Sequence, residues 1–400
     1  MEEQDRTGNK NKTGSRSRLK KVRIHPLRII VGLVLLGVAV IAIIAWFTYR
    51  DEIDHNTLRR LMSYVEFDLG SSDDEGEAEV FDTGGRSRYA PLGEGLAALW
   101  PGGLEIFNGS GKNAVHCDVS MRRPALECAG GVVVAYDRGG TSFVVADMGG
   151  VRLEDEAGGA ILSVRVNSAG WFVMVSEKRQ YKAVVTVYDG AQKPVFHWYS
   201  ATRYVLDAVL SPDCRRLCVL FAGEENGAFV SNVSFFDIER EEGAFISHDY
   251  MDMLVLSVYY IKDGFLCAVA EDRAIYFTDT GAKFGEFDFK GRFLKNFACS
   301  AELLPVFLLS QYKGGGRLEL VQPDRQGYPL HMLTMDEEAL GLSAAGGVLS
   351  ILTPIGVRLY DVDLRQIAVL PHVEGTRAAL AREDGSVLLV LTGKVEIYRP

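Results

Sequence analysis

No motif for an activated nucleophile, a bound nucleotide or a catalytic metal occurs in these 400 residues. Gly-x-Ser-x-Gly, a Walker-type phosphate loop and His-Glu-x-x-His are all missing, which removes the hydrolase, NTPase and metalloprotease classes that announce themselves by sequence. Cysteine is scarce, with six residues, and no second ligand pair follows at zinc spacing. Basic charge is scarce beyond the amino terminus. Residues 1–28 hold nine basic against three acidic residues, +6, whereas the rest holds 34 against 50, or −16. An acidic body has no basic groove to neutralise phosphates, so nucleic acid is not an expected partner. No residue is assigned a catalytic or metal-binding role, and no cofactor is expected.

The first feature present is a run of nineteen uncharged residues, Ile29 to Phe47. At about 1.5 Å per residue a helix over 27–49 crosses a hydrocarbon layer of about 30 Å. The basic cluster ends just before it, and Trp46, Phe47 and Tyr49 mark its far end as an aromatic belt. The positive-inside rule then puts residues 1–26 in the cytoplasm as a disordered tail against anionic headgroups. The apolar run is too long, and lacks the small-x-small site, for a cleaved signal peptide. Residues 50–77, ending in Gly70-Ser-Ser-Asp-Asp-Glu-Gly-Glu77, read as an acidic extracytoplasmic stalk. The lipid bilayer is thus the first expected partner, through 27–49, and the plasma membrane the expected location.

From residue 78 to 400 the chain repeats one pattern: apolar residues, an aromatic, then Asp or Asn before a turn. Copies include Leu104-Glu-Ile-Phe-Asn108, Val185-Thr-Val-Tyr-Asp189, Val233-Ser-Phe-Phe-Asp237, Val357-Arg-Leu-Tyr-Asp361 and Val395-Glu-Ile-Tyr398. The eight copies are spaced by 39, 42, 48, 42, 43, 39 and 38 residues. Each follows an apolar hairpin with a turn residue at its bend, Ala-Gly-Gly at 129–131 and Lys-Asp-Gly at 262–264 among them. A strand-and-turn period of about 40 residues is the signature of a β-propeller blade of four strands. The fold class is therefore all-β, an eight-bladed propeller, with the repeated pattern on the third strand of each blade. The last copy ends at the carboxyl terminus with no fourth strand, and an orphan strand, Ala78-Glu-Val-Phe-Asp-Thr83, precedes the first blade. Pairing the two supplies the missing strand and closes the ring.

On this plan His116, His197, His248, His331 and His372 fall on outer strands and spread around the circumference instead of converging. Cys218 and Cys267 take matching buried places in second strands. Cys214 with Cys218, and Cys117 with Cys128, are close enough in sequence and plan to leave a disulfide open in each case. Ligand-binding residues are expected on loops at one mouth of the central channel. The residues so placed are Asp137 and Arg138, Glu177, Glu224 and Glu225, Glu271 and Asp272, and Tyr312.

The basic tail, single span, acidic stalk and Val-x-Ile-Tyr-Asp repeats together resemble an uncharacterised family of single-span, membrane-anchored β-propeller proteins of Gram-positive, clostridia-like bacteria. The likeness extends over essentially the whole chain and carries no activity with it. At the level of fold the repeats also look like WD40 and quinoprotein propellers. The Gly-His and Trp-Asp signatures of the first and the Trp-docking repeats of the second are missing. The leading expectation is a non-enzymatic, extracytoplasmic binding or scaffold module for an envelope protein or glycan. The alternative is a carbohydrate-acting hydrolase or lyase at the channel mouth, for which Glu224, Glu225, Glu271 and Asp272 are the available carboxylates.

Overall fold

Thirty-one strands and one 3₁₀ turn make up the regular structure of the computed structural model. It describes residues 88–400 except 110–111, 241–242, 301–302, 314–316, 372, 374, 393 and 400. The expected tail, span, stalk and closing strand 78–83 lie outside the described residues, as does His372. Among the described residues no helix is long and apolar enough to cross a membrane.

The strands form eight antiparallel sheets in simple sequence order, seven of four strands and a last one of three, Thr376–Ala381, Val387–Leu391 and Lys394–Tyr398. Naming the strands of each blade A to D from the centre outward, the A strands are Arg88–Leu92, Pro124–Ala129, Ile161–Val166, Tyr204–Leu210, Val255–Tyr260, Phe293–Ala298, Gly341–Ala345 and Thr376–Ala381. The B strands are buried almost throughout, as in Val132–Asp137 and Leu266–Ala270, because neighbouring blades cover both of their faces. The D strands are largely exposed, Gly150–Glu156 being typical.

The core is divided into eight clusters, one between each pair of adjacent blades. The cluster of Leu96, Ala98 and Phe107 with Leu388, Val390 and Val395 joins blade 8 to blade 1, so among the described residues side-chain packing closes the ring. A fully buried side chain of this size contributes roughly 1.5–3 kcal/mol. The repeated aromatic has one job throughout: Phe107, Tyr188, Phe236, Phe277, Tyr360 and Tyr398 each pack against the blade that precedes their own.

The acid that follows is a turn former. The Oδ1 atoms of Asn108, Asp147, Asp189, Asp237 and Asp361 accept backbone N–H bonds of 2.8–3.1 Å from the next turn. In blade 5 that role falls to Thr278, whose Oγ1 accepts from the Ala282 amide at 3.1 Å, and not to Asp279. The Gly130-Gly131 bend between A and B of blade 2 has φ of +55° and +73°, the two left-handed residues that a tight hairpin requires.

All six cysteines are free thiols. Cys218 faces blade 5 while Cys214 packs towards blade 3, and the Cys214 sulfur accepts a bond of 3.1 Å from Asn167 Nδ2. Cys214 lies in the A–B turn with φ +60°, outside the strand that carries Cys218, so strand alternation does not set its direction and the two thiols end on opposite faces of the sheet. Cys117 and Cys128 share the cluster between blades 1 and 2 without bonding.

Candidate functional site

Antiparallel order sends every B–C turn and D–A connection to one end of the wheel. There the two sets are stitched by backbone bonds such as Arg138 N–H to Arg123 O (2.9 Å), Glu177 N–H to Ala160 O (2.8 Å) and Phe289 N–H to Asp272 O (2.9 Å). This is the loop face on which binding residues are expected, and the structure gives them unequal parts. Asp137 is buried, its Oδ1 accepting the Arg123 amide at 2.6 Å, so it braces a turn. Arg138 follows it in a bridge to Ile161. Asp272 is held by Arg273 through bonds of 3.1 and 2.8 Å, which lower its pKa below the usual carboxylate range. Burial, then the neighbouring Asp272, pushes Glu271 up. Glu177 is exposed, and so is Tyr312, at 66%.

Glu224 and Glu225 stand on the most distinctive loop. Strands B and C of blade 4, Arg216–Glu225 and Ala228–Asp237, are ten residues each where other blades have five to eight, which accounts for the 48-residue spacing in the repeats. They are joined by Asn226-Gly227, both with positive φ. Beside this projecting hairpin the loop end of blades 3 and 4 exposes Tyr181 (43%), Tyr199 (43%), Tyr204 (56%), Phe229 (39%) and Met251 (51%). Tyr181 and Tyr199 lie 5.1 Å apart, Lys182 Nζ sits 4.6 Å above the Tyr204 ring, and Arg203 links Asp249 (2.9 Å) to Glu225 (3.5 Å). Exposed aromatics rimmed by paired charges are the composition of a protein-binding patch. The long spacing was the sequence signal for the hairpin; the tyrosines come together only in the fold.

A second constellation, on the A strands, was masked in the sequence by its apolar flanks. Arg165 Nε and Nη2 donate to Asp207 Oδ1 and Oδ2, both at 3.1 Å, across blades 3 and 4. Asp207 Oδ2 also accepts the Val258 amide of blade 5 at 3.3 Å, and Glu127 of blade 2 lies 3.8 Å from Arg165 Nη1. The guanidinium stands 5.2 Å from the Tyr259 ring centroid, and Tyr259 meets Phe297 of blade 6 edge-on at 5.4 Å. One-residue bulges in the A strands of blades 4, 5, 6 and 8, at Leu206, Leu256, Lys295 and Arg377, re-aim side chains along the channel. Burial works against the Arg165 charge, but Asp207, Tyr259 and Glu127 outweigh it and hold the guanidinium protonated above its ordinary range. Glu127 is pushed up by burial and by Asp207, with Arg165 opposing. This arc sets one guanidinium between two carboxylates and ties five blades together.

His116, His197, His248 and His331 lie on four different D strands and do not converge. Among the described residues no group of three His, Cys, Asp or Glu is placed to hold a metal ion. The sequon at Asn232 is buried, its Nδ2 donating to Ser247 and Asp249 at 2.7 and 2.8 Å.

The arrangement defines the class: an eight-bladed β-propeller with a loop face and a packed, ion-paired inner wall. Solved structures agree. The C-terminal WD40 domain of Sif2 matches 78% of this chain and 95% of its own length at 11% identity and a TM-score of 0.57. A eukaryotic initiation factor structure matches 78% and 84% at 11% identity and 0.54. The dihydro-heme d1 dehydrogenase NirN matches 72% and 66% at 16% identity and 0.50. At these identities the likeness is one of fold. A comparison with curated proteins finds no match. Residues 73–327 match the model of a family of unknown function, DUF5711, and the chain belongs to that family.

Proposed function

We propose that this protein is a non-enzymatic binding scaffold, tethered to the plasma membrane through residues 27–49 with its propeller outside, and that its loop face engages an envelope protein or glycan. The observation that carries the reading is the exposed Tyr181, Tyr199, Tyr204, Phe229 and Met251 patch beside the projecting Arg216–Asp237 hairpin. Tyrosines supply large contact area with few rotatable bonds, which keeps the entropy cost of docking low. Two of the four carboxylates that a hydrolase would draw on are held in ion pairs, Glu225 by Arg203 and Asp272 by Arg273. The origin in Gram-positive, clostridia-like bacteria implied by the repeats belongs to the same proposal.

The test is affinity capture with the intact membrane-anchored chain followed by mass spectrometry, beside the double variant Tyr204→Ala/Phe229→Ser. One stoichiometric envelope partner, lost in the variant, supports the reading; a reproducibly empty capture overturns it. Substituting Glu224, Glu225, Glu271 and Asp272 together separates the enzymatic alternative. A glycan-cleaving activity that the fourfold variant abolishes decides for the hydrolase or lyase.

A further inference from the structure

The face opposite the loops, where A–B and C–D turns gather, carries a groove of about 520 Å³ across blades 5, 6 and 7. That volume falls within the range of roughly 300–1,000 Å³ typical of small-molecule sites.

The groove is built by a close approach of backbones. Strand D of blade 5, Lys283–Asp288, lies directly on the C–D turn of blade 6. Gly327, with φ +96°, permits this because any Cβ there would run into the Glu286 carbonyl. The approach brings Arg325 onto the Phe265 ring, 4.4 Å from its centroid, with its Nη2 2.5 Å from Asp263 Oδ2. Phe265 in turn meets Phe284 edge-on at 5.2 Å. Phe284, Leu330 and Val362 form an apolar wall that is 43–52% exposed.

Around that wall stand planar polar side chains, and two of the three carboxylates among them are held in ion pairs. Asp263 has Arg325; Asp363 lies between Arg365 at 3.0 Å and His331 at 3.7 Å; Asp324 Oδ1 accepts the Tyr328 amide at 2.8 Å. Gln326 adds an amide that both donates and accepts, whereas the Gln322 amide is buried and donates to the Leu304 carbonyl at 3.4 Å. The lining thus offers donors and acceptors in alternation about an aromatic face, with no strong field of one sign. A charged ligand would need an uncompensated opposite charge. A sugar presents a C–H face and a rim of hydroxyls, each at once donor and acceptor.

We infer that this groove binds a neutral oligosaccharide, stacked on Phe284 with its hydroxyls against Asp324, Gln326, His331 and Asp363. The site is separate from the loop face, so the two readings fail independently.

The experiment uses the full-length chain in detergent with chitotetraose, cellotetraose, maltotetraose, the acidic trigalacturonate and a short Leu-Lys-Leu peptide, read by saturation-transfer NMR and calorimetry. At least one neutral tetrasaccharide binds, with an affinity that salt does not change. Phe284→Ala weakens it about tenfold or more and Gln326→Ala by a smaller factor, with melting temperatures retained. Tyr204→Ala/Phe229→Ser leaves sugar binding intact. Absence of binding by all three neutral sugars overturns the inference. So does binding that is unchanged in both groove variants, or binding confined to the acidic sugar or the peptide.

Discussion

Arg165 and Asp207 are joined by two parallel bonds of 3.1 Å although they lie 42 residues apart, on the inner strands of adjacent blades. Asp207 is buried and also receives the Val258 amide of the blade beyond. One carboxylate therefore holds three consecutive blades at the channel wall. The charged pair stands where a propeller otherwise buries apolar groups, and Arg165 of blade 3 also reaches the Tyr259 ring of blade 5.

Removing one partner strands the other. Asp207→Ala should destabilise the propeller by about 3–5 kcal/mol, since the Arg165 charge is left buried without its mate. Arg165→Met/Asp207→Leu should recover much of that loss. Urea unfolding of wild type, both single variants and the double variant measures the coupling, and singles that unfold like wild type would refute the role.

Glu127 predicts a pH dependence of definite sign. Its folded pKa is raised above the ordinary 4.5, chiefly by burial, so ionising it costs the folded state. Its contribution is fully present below 4.5 and is lost as pH rises through the folded value. Glu127→Gln should therefore gain stability relative to wild type across that window, then hold a constant lead. Melting temperatures of both proteins from about pH 4 to about pH 8 test this, and a lead that shrinks with rising pH would contradict it.

The thiols should be inert in the folded state. Burial raises Cys218 and Cys267 well above the ordinary range and pushes Cys299 up to about 12. At pH 8 a thiol at 12 is ionised in only about one molecule in ten thousand. Iodoacetamide should label these three only after denaturation, as read by peptide mass spectrometry. Labelling of native protein within minutes would be the contrary result.

Deleting residues 78–84 should lower the melting temperature and promote aggregation. Blade 8 has three described strands, and Lys394–Tyr398 is its edge, with Ile397 41% exposed. The D–A connections of the other blades are three to five residues long, so a strand ending at 83 would reach Arg88 with a connection of that size. An unchanged melting profile would show that the edge needs no such partner.

The architecture was legible because its signals are local. Hairpin bends such as Gly130-Gly131 and caps such as Asp189 and Asp361 depend on backbone geometry within four residues, and an aromatic recurs at the end of the third strand in six of the eight blades. The sites were less legible. Asp137 looked like a ligand because it sits in a charged loop, yet its carboxylate is spent on the Arg123 amide. Glu127, Arg165 and Asp207 were hidden inside apolar strands, and nothing in single strands says that their side chains meet.

Sequence alone determined the propeller, its eight blades, the turn-forming role of the residue after the aromatic and the acidic character of the body, because each follows from periodicity, composition or contacts within one repeat. Only the tertiary structure decided which residues meet between repeats. The Arg165–Asp207 staple, the separation of Cys214 from Cys218, the tyrosine patch beside the long hairpin and the Phe284 groove all join side chains from different strands or blades. Their juxtaposition depends on inter-blade rotation and on bulges, which alternation along one strand does not encode.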